Sequence, residues 1–197
     1  MSVRKIIEAF AVRTTLPISP NDVKAIAIDL GMRDRITFVG VDLNPAHLLG
    51  MFYSYFEATG VYSVPDVCAY IYYERRQPTS WQRLVCCKEM LHMFDHQSQK
   101  TAKRDEVEKL IVDMARGLGG FDAETFGLHG LIDQITIMRA LAILFPIEAR
   151  EVLLPKLKSN DITLEEISAI ADLPLPFVNI VMGEKWPEIY KIILSSC

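Results

Sequence analysis

The residues best placed to do chemistry lie between Arg83 and His96, on a segment predicted to be helical. A zinc-hydrolysing helix carries His-Glu-x-x-His, because imidazoles four residues apart share one face and the glutamate can deprotonate a metal-bound water. Glu89 and His92 fit this spacing, but Lys88 stands at the first histidine position. A lysine ammonium has no lone pair at neutral pH and repels a nearby divalent cation. The segment is therefore a metalloenzyme site, a shifted metal site or a site that has lost its metal.

Two residues of this segment have both a catalytic and a structural interpretation. Glu89 could be the general base toward a zinc-bound water, or a buried acid paired with Lys88 or Arg83. The paired acid is favoured, because without the first histidine there is no activated water to deprotonate. His92 could be a metal ligand or a packed histidine that forms a hydrogen bond through one ring nitrogen, and the sequence does not decide between them.

The segments before this helix predict two short helices and a small sheet. Apolar residues at helical spacing predict a helix over Val3 to Arg13, and Ser19 to Asp22 offers the start of a second helix that ends at Leu30. Ile36 to Leu43 and Val67 to Tyr73 are rich in β-branched and aromatic residues, which favours strands. The stretch from 48 to 56 is ambiguous between strand and helix, so the sheet is predicted to have about three strands.

Helical patterns dominate the rest of the chain. Pro78 to Ser80 predicts the N-terminal cap of the helix that carries Lys88, Glu89 and His92. Further helices are predicted at 105–117, 123–145, 147–157 and from Thr163 onward. Loop composition places a boundary at Asn160-Asp161, which separates a core of residues 1–160 from a helical C-terminal extension of residues 161–197. The predicted class is α+β, with a mostly helical core and a small sheet.

Composition excludes several classes of protein. The chain has 197 residues, half of them hydrophobic, and a formal net charge of −4 without a basic stripe, which argues against nucleic acid as a partner. An apolar run of membrane-spanning length is absent from the sequence, and the N-terminus does not read as a signal peptide, so a cytoplasmic protein without membrane attachment is expected. The cysteines at positions 68, 86, 87 and 197 are predicted to be free thiols, buried as small core residues.

Several segments together carry a family resemblance. Arg83, the apolar run 84–87 and the degenerate motif 88–92 come first, and the alanine-containing segment from Asp133 to Pro146 and the helical pair within 162–178 follow. They resemble the ImmA/IrrE family of zinc-peptidase-like proteins over most of the chain from about residue 22. The resemblance implies a zincin-like fold, zinc as cofactor, Asp133 as the carboxylate ligand and a helix-turn-helix repressor as protein partner. The chain departs from the family at Lys88.

A second pair of histidines offers a displaced metal site. His92 and His96 are four residues apart and could bind a metal with Asp133 or Asp95. The favoured interpretation is that His96 leaves the helix end into solvent, because such a pair arises easily by chance. If zinc is absent, Asp133 is expected to accept a hydrogen bond or to form a salt bridge, for example with Lys88. The ammonium of Lys88 could then replace the metal's charge beside Glu89 and Asp133, and Lys88→Ala would destabilise the protein.

An aromatic cluster has two interpretations, a peptide-binding groove or packing of the sheet, and packing is favoured. Its members are Tyr53, Tyr55, Phe56, Tyr62, Tyr70, Tyr72 and Tyr73. The preferred functional hypothesis is a non-catalytic or regulatory scaffold that binds a protein. One alternative is an active zinc endopeptidase with Glu89 as base and His92, His96 and Asp133 on the metal. A third is a small DNA-associated regulator that uses the helix pair within 163–182. Whether the chain is an enzyme, whether it binds zinc or no cofactor, and its oligomeric state are open.

Overall fold

A computed structural model describes residues 2–43, 49–57, 66–94 and 128–195, and helices make up most of these residues. The helices within these ranges are α1 (Val3–Ala11), α2 (Pro20–Asp29), α3 (Thr79–Leu91), α4 (Leu128–Leu144), α5 (Ile147–Lys158), α6 (Leu164–Ala171), α7 (Leu175–Met182) and α8 (Trp186–Ser195). The strands are β1 (Arg35–Val41), β2 (Gly50–Glu57) and β3 (Asp66–Glu74). The predicted α+β class is confirmed. No helix in these ranges is both long and apolar enough to cross a membrane.

The three strands form one mixed sheet in the order β1-β3-β2. β1 runs parallel to β3, and β2 runs antiparallel to it with Gly50 opposite Tyr73. One face of the sheet buries Ile36, Ala69 and Ile71 and packs against α3. The ambiguous stretch before residue 57 is therefore a strand, which pairs with β3 along its whole length.

The two N-terminal helices form as predicted. α1 buries Val3, Ile6, Ile7 and Phe10 on a single face. α2 begins with a capping box: the Asp22 amide donates to the Ser19 hydroxyl oxygen at 3.1 Å, and the Ser19 amide donates to the Asp22 carboxylate at 2.8 Å. The reciprocal bonds satisfy backbone donors that the first turn of a helix leaves without partners.

α3 begins where predicted, with Thr79 as its first helical residue. Pro78 is the N-cap residue, and no side chain caps the first turn. The Thr79 hydroxyl instead donates to the Asp172 carboxylate at 3.0 Å, so it links the helix to the C-terminal part of the chain. α3 is buried on more than one face, since Leu84 to Cys87 and Glu89 to Leu91 are all buried.

The helices after residue 160 share the main hydrophobic core. Ile167, Val178 and Trp186 are fully buried and belong to the same cluster as α1, α3 and α4. The buried guanidinium of Arg150 on α5 donates to the carbonyl oxygens of Val181 at 2.7 Å and Gly183 at 3.1 Å, at the C-terminal end of α7. A turn with Asn160 at a φ of 58° joins α5 to the segment that follows. The boundary predicted here stays a prediction, although the helices on both sides share one core.

One buried carboxylate, that of Glu74, stabilises the C-terminal end of β3. Glu74 is 1 % exposed and accepts hydrogen bonds from the Leu43 amide, the Arg76 amide at 3.0 Å and the Arg76 Nε at 2.7 Å. Hydrogen bonds from Arg76, first of all from its side chain, lower the pKa of Glu74 to about 2. Arg75 forms a bidentate pair with Asp42 and Arg76 pairs with Glu74, so both arginines are exposed but paired.

This carboxylate predicts an acid-dependent loss of stability. Because the folded-state pKa of Glu74 lies below its ordinary value of 4.5, its contribution is present above that value and is lost as pH falls toward about 2. Glu74→Gln should therefore flatten the fall in urea midpoint on going from neutral pH to acid. Glu184→Gln, at an exposed position, is the matched control and should leave the slope unchanged. Equal slopes for the parent and Glu74→Gln would contradict this role.

Candidate functional site

The candidate site lies at the C-terminal end of α3, where two polar side chains converge on one carboxylate. The Lys88 ammonium donates to Glu89 Oε1 at 2.9 Å, with side-chain exposures of 14 % and 7 %. His92 Nε2 lies 4.0 Å from Glu89 Oε2, on the other side of the same carboxylate. Of the two cations considered as partners for Glu89, the structure therefore places Lys88 beside it.

The first residue of β2 lies directly on this turn of α3. A Cβ atom added to Gly50 would stand 2.2 Å from Val85 Cγ1 and 3.3 Å from Glu89 Cγ. Such an approach needs a residue without a side chain, which gives Gly50 a packing role. The antiparallel strand of the sheet and the helix that carries Glu89 are thus in close contact.

Replacing Gly50 tests this contact. Gly50→Ala is expected to lower the free energy of unfolding by about 2 kcal/mol, because the new methyl group overlaps the stiff, buried side chain of Val85. The double variant Gly50→Ala/Val85→Ala has room for the methyl group and should show a favourable coupling between the two substitutions in urea unfolding. Additive losses in this cycle would show that the two residues do not compete for space.

Arg83 joins α3 to two distant segments of the backbone. Its Nη1 atom donates to the carbonyl oxygens of Ala171 at 2.7 Å and Asp172 at 2.5 Å, and its Nη2 atom donates to the Ile18 carbonyl. Nη1 also lies 3.2 Å from the Asp172 carboxylate. The guanidinium is thus a structural tie at the C-terminal end of α6, where Asp172 takes a left-handed conformation with a φ of 45°. Arg83 holds α3 in place rather than neutralising Glu89.

The cysteines of α3 are part of the core. Cys68, Cys86 and Cys87 are free and buried, as predicted, while Cys197 lies outside the described residues. Burial and the neighbouring Glu89 raise the pKa of Cys86 to about 12, and burial likewise raises the pKa of Cys87. A raised pKa favours the thiol form at neutral pH, as is typical of buried cysteines with a structural role.

The predicted metal ligands are described only in part. His92 is half-buried in the 3₁₀ turn His92–Phe94 that follows α3. His96 and Asp95 lie outside the described residues, and Asp133 is described through its backbone in α4, a helix that packs against α3. Among the side chains that the structure does describe, no three of the His, Cys, Asp and Glu type form a metal-binding group. Lys88, Glu89 and His92 alone do not fit a hydrolytic zinc site.

Four of the tyrosines form a stack on the sheet face opposite α3. Ring centroids lie 6.2 Å apart for Tyr53 and Tyr55, 6.0 Å for Tyr55 and Tyr70, and 6.0 Å for Tyr70 and Tyr72. Strand side chains alternate between faces, so these rings point away from the face on which Gly50 meets Glu89. They pack against one another and do not line a groove at Glu89, whereas Tyr73 packs toward the core and Tyr62 lies outside the described residues.

The geometry is that of a buried carboxylate whose charge is balanced by a neighbouring ammonium. Glu89 is buried and accepts a hydrogen bond from the Lys88 ammonium, with the His92 imidazole 4.0 Å away, and the ammonium repels a further cation at this position. No protein-family model, curated protein or solved structure matches this chain.

Proposed function

We propose that this chain is a non-catalytic relative of the ImmA/IrrE zinc peptidases that serves as a protein-binding scaffold. The observation that carries the proposal is the buried ion pair between Lys88 and Glu89, with 2.9 Å between Nζ and Oε1. A zincin-like arrangement is part of the same proposal. Its support is a mixed sheet whose antiparallel strand β2 lies against α3 at Gly50 and Glu89.

Two effects of Lys88 oppose zinc-dependent hydrolysis. Its ammonium contributes no metal ligand. It also places a positive charge at the position where a divalent cation would need a neutral imidazole. It also occupies Glu89 Oε1, which a general base must present to the water that it deprotonates. Lysine in place of the first histidine of the motif thus removes a metal ligand and pairs with the general base.

The alternative enzyme is an endopeptidase with a rearranged ligand set. Glu89 would be its base, and His92, His96 and Asp133 would hold zinc. The 4.0 Å approach of His92 to Glu89 is the observation in its favour, because ligand and base must lie side by side. Against it stands the ammonium of Lys88, which is in contact with the same carboxylate.

A DNA-associated regulator is the weakest candidate. α6 and α7 do form a helix pair that is joined by a short turn at Asp172 to Pro174. Yet α7 is almost wholly apolar, buries Val178, Val181 and Met182, and carries neither lysine nor arginine. A recognition helix needs cationic and amide side chains for phosphates and base edges, and Asn179 is the only such residue in α7.

The partner proposed from the resemblance is a helix-turn-helix repressor encoded near this chain. Whether this repressor is bound intact or cleaved distinguishes the scaffold from the endopeptidase. The purified repressor is mixed with the parent protein and with Glu89→Gln in zinc-containing buffer, and is followed by intact-mass spectrometry and by light scattering. A scaffold binds the repressor and leaves it intact with both proteins. Cleavage by the parent that Glu89→Gln abolishes would establish the peptidase instead, and the lack of both binding and cleavage would overturn this partner.

A further inference from the structure

Strand β2 is an edge strand without the usual protection against pairing. Within the described ranges no strand pairs with its outer side, because the order of the sheet is β1-β3-β2. Its sequence from Gly50 to Glu57 has no proline and no lysine, and its only charge is at the last residue. Natural edge strands are commonly blunted by charges, prolines or bulges, and β2 pairs with β3 in an unbroken register. The opposite edge differs, since the Lys24 ammonium donates to the Ile36 carbonyl at 2.7 Å.

One hydrogen bond fixes which backbone groups of β2 point outward. The Glu74 amide donates to the Leu49 carbonyl at 3.1 Å, so the residue before β2 faces β3. Alternation along an antiparallel strand then turns the backbone groups of Met51, Tyr53 and Tyr55 toward β3 as well. The N–H and C=O groups that face the open edge are those of Gly50, Phe52, Ser54 and Phe56.

These groups are self-complementary in one register that matches all four of them and pairs residues 50–56 of the two copies. In an antiparallel pair with a two-fold axis at Tyr53, Ser54 of one copy lies opposite Phe52 of the other, and Phe56 lies opposite Gly50. All four residues face the partner strand, so the outward donors and acceptors of both copies are matched. A register displaced by one residue would put outward groups opposite inward ones.

Side chains agree with this register. Phe56 is 69 % exposed, on the face of the sheet that carries α3, and the register sets it opposite a glycine, which has no competing side chain on that face. Tyr53 is 49 % exposed and would meet its own copy across the axis, where the two Cβ atoms approach most closely. The tyrosine stack would then continue from one copy into the next.

We infer that two copies of this chain pair antiparallel through β2, with the two-fold axis at Tyr53, and so form one continuous sheet. The partner is a second copy because strand length, outward groups and side-chain sizes match β2 itself. This dimer does not depend on the state of Lys88 and Glu89. It would also place Phe56 of one copy beside the α3 helix of the other. The outer side of β2 next to Glu89 would then be covered by the paired strand.

Removing one outward donor tests the pairing. Sedimentation velocity over a concentration series is expected to show a monomer–dimer equilibrium for the parent. Ser54→Pro deletes an N–H that points to the open edge and leaves the bonds to β3 intact, so it should weaken dimerisation about 30-fold through two lost hydrogen bonds. Val12→Ser changes a residue outside β2, the C-cap of α1, which is 75 % exposed, and should dimerise as the parent does. A parent that is monomeric throughout would overturn the inference.

Cross-linking tests the register. In a Cys197→Ser background, Tyr53→Cys should form a covalent dimer on mild oxidation, because opposed residues of a non-hydrogen-bonded pair lie within disulfide reach. Ser54→Cys is the matched control one residue away and should not cross-link, since its opposite residue is Phe52. Cross-linking of Ser54→Cys in place of Tyr53→Cys would reject an axis at Tyr53. Both variants should keep the circular dichroism spectrum of the parent.

Discussion

Arg83→Ala is expected to lower the free energy of unfolding by about 3 kcal/mol. The guanidinium is 12 % exposed and satisfies the carbonyls of Ala171, Asp172 and Ile18. Without it, these acceptors and the Asp172 carboxylate lose a charged donor in a poorly solvated position. Urea unfolding followed by circular dichroism measures the loss.

Two further variants define the cause. Arg83→Lys keeps the charge but cannot reach several acceptors with one planar fork, so it should recover only part of the lost stability. Arg35→Ala removes an arginine that is 57 % exposed and pairs with Glu57 at 3.2 Å, and it should cost less than about 1 kcal/mol. If Arg83→Ala costs no more than Arg35→Ala, Arg83 is not the tie between α3 and the C-terminal helices.

Lys88→Ala is expected to destabilise the protein by about 3 kcal/mol as well. The substitution leaves Glu89 buried without its ammonium partner, and an unpaired buried charge costs more than the pair contributes. Lys88→Met keeps most of the side-chain volume, so a similar loss in this variant would assign the effect to charge rather than to a cavity. Thermal and urea unfolding at neutral pH provide the comparison.

A double-mutant cycle isolates the pair. Lys88→Met/Glu89→Gln removes both charges and should recover much of the stability that Lys88→Met loses. The same recovery is not expected when Lys88→Met is combined with Glu8→Gln, which removes an exposed carboxylate on α1. A Lys88→Ala protein as stable as the parent would refute the idea that the ammonium replaces a metal's charge.

Local patterns sufficed for most of the fold. The capping boxes at Ser19 and Thr163 and the β-branched runs of β1 and β3 predicted elements that the structure confirms. β2 was ambiguous because its aromatic residues suit either a helix or a strand, and pairing with β3 decides between them. The signal at Pro78 to Ser80 located the start of α3, but the bond from the Thr79 hydroxyl to Asp172 needs a partner that only the tertiary fold supplies.

The candidate site was harder to predict than the fold. The contact of Lys88 with Glu89 does not follow from helical spacing, since neighbouring residues on a helix do not generally face each other. The tie made by Arg83 uses backbone carbonyls far away in sequence, which carry no residue-specific pattern. Side-chain alternation did allow the tyrosines to be divided between faces once the register was known.

Metal content tests the central claim most directly. The parent and His92→Ala are purified without chelator or added metal, and zinc is measured by inductively coupled plasma mass spectrometry. If Lys88 has replaced the metal's charge beside Glu89, both proteins should contain negligible zinc. Near-stoichiometric zinc in the parent that is lost in His92→Ala would contradict this account and establish a rearranged metallopeptidase site.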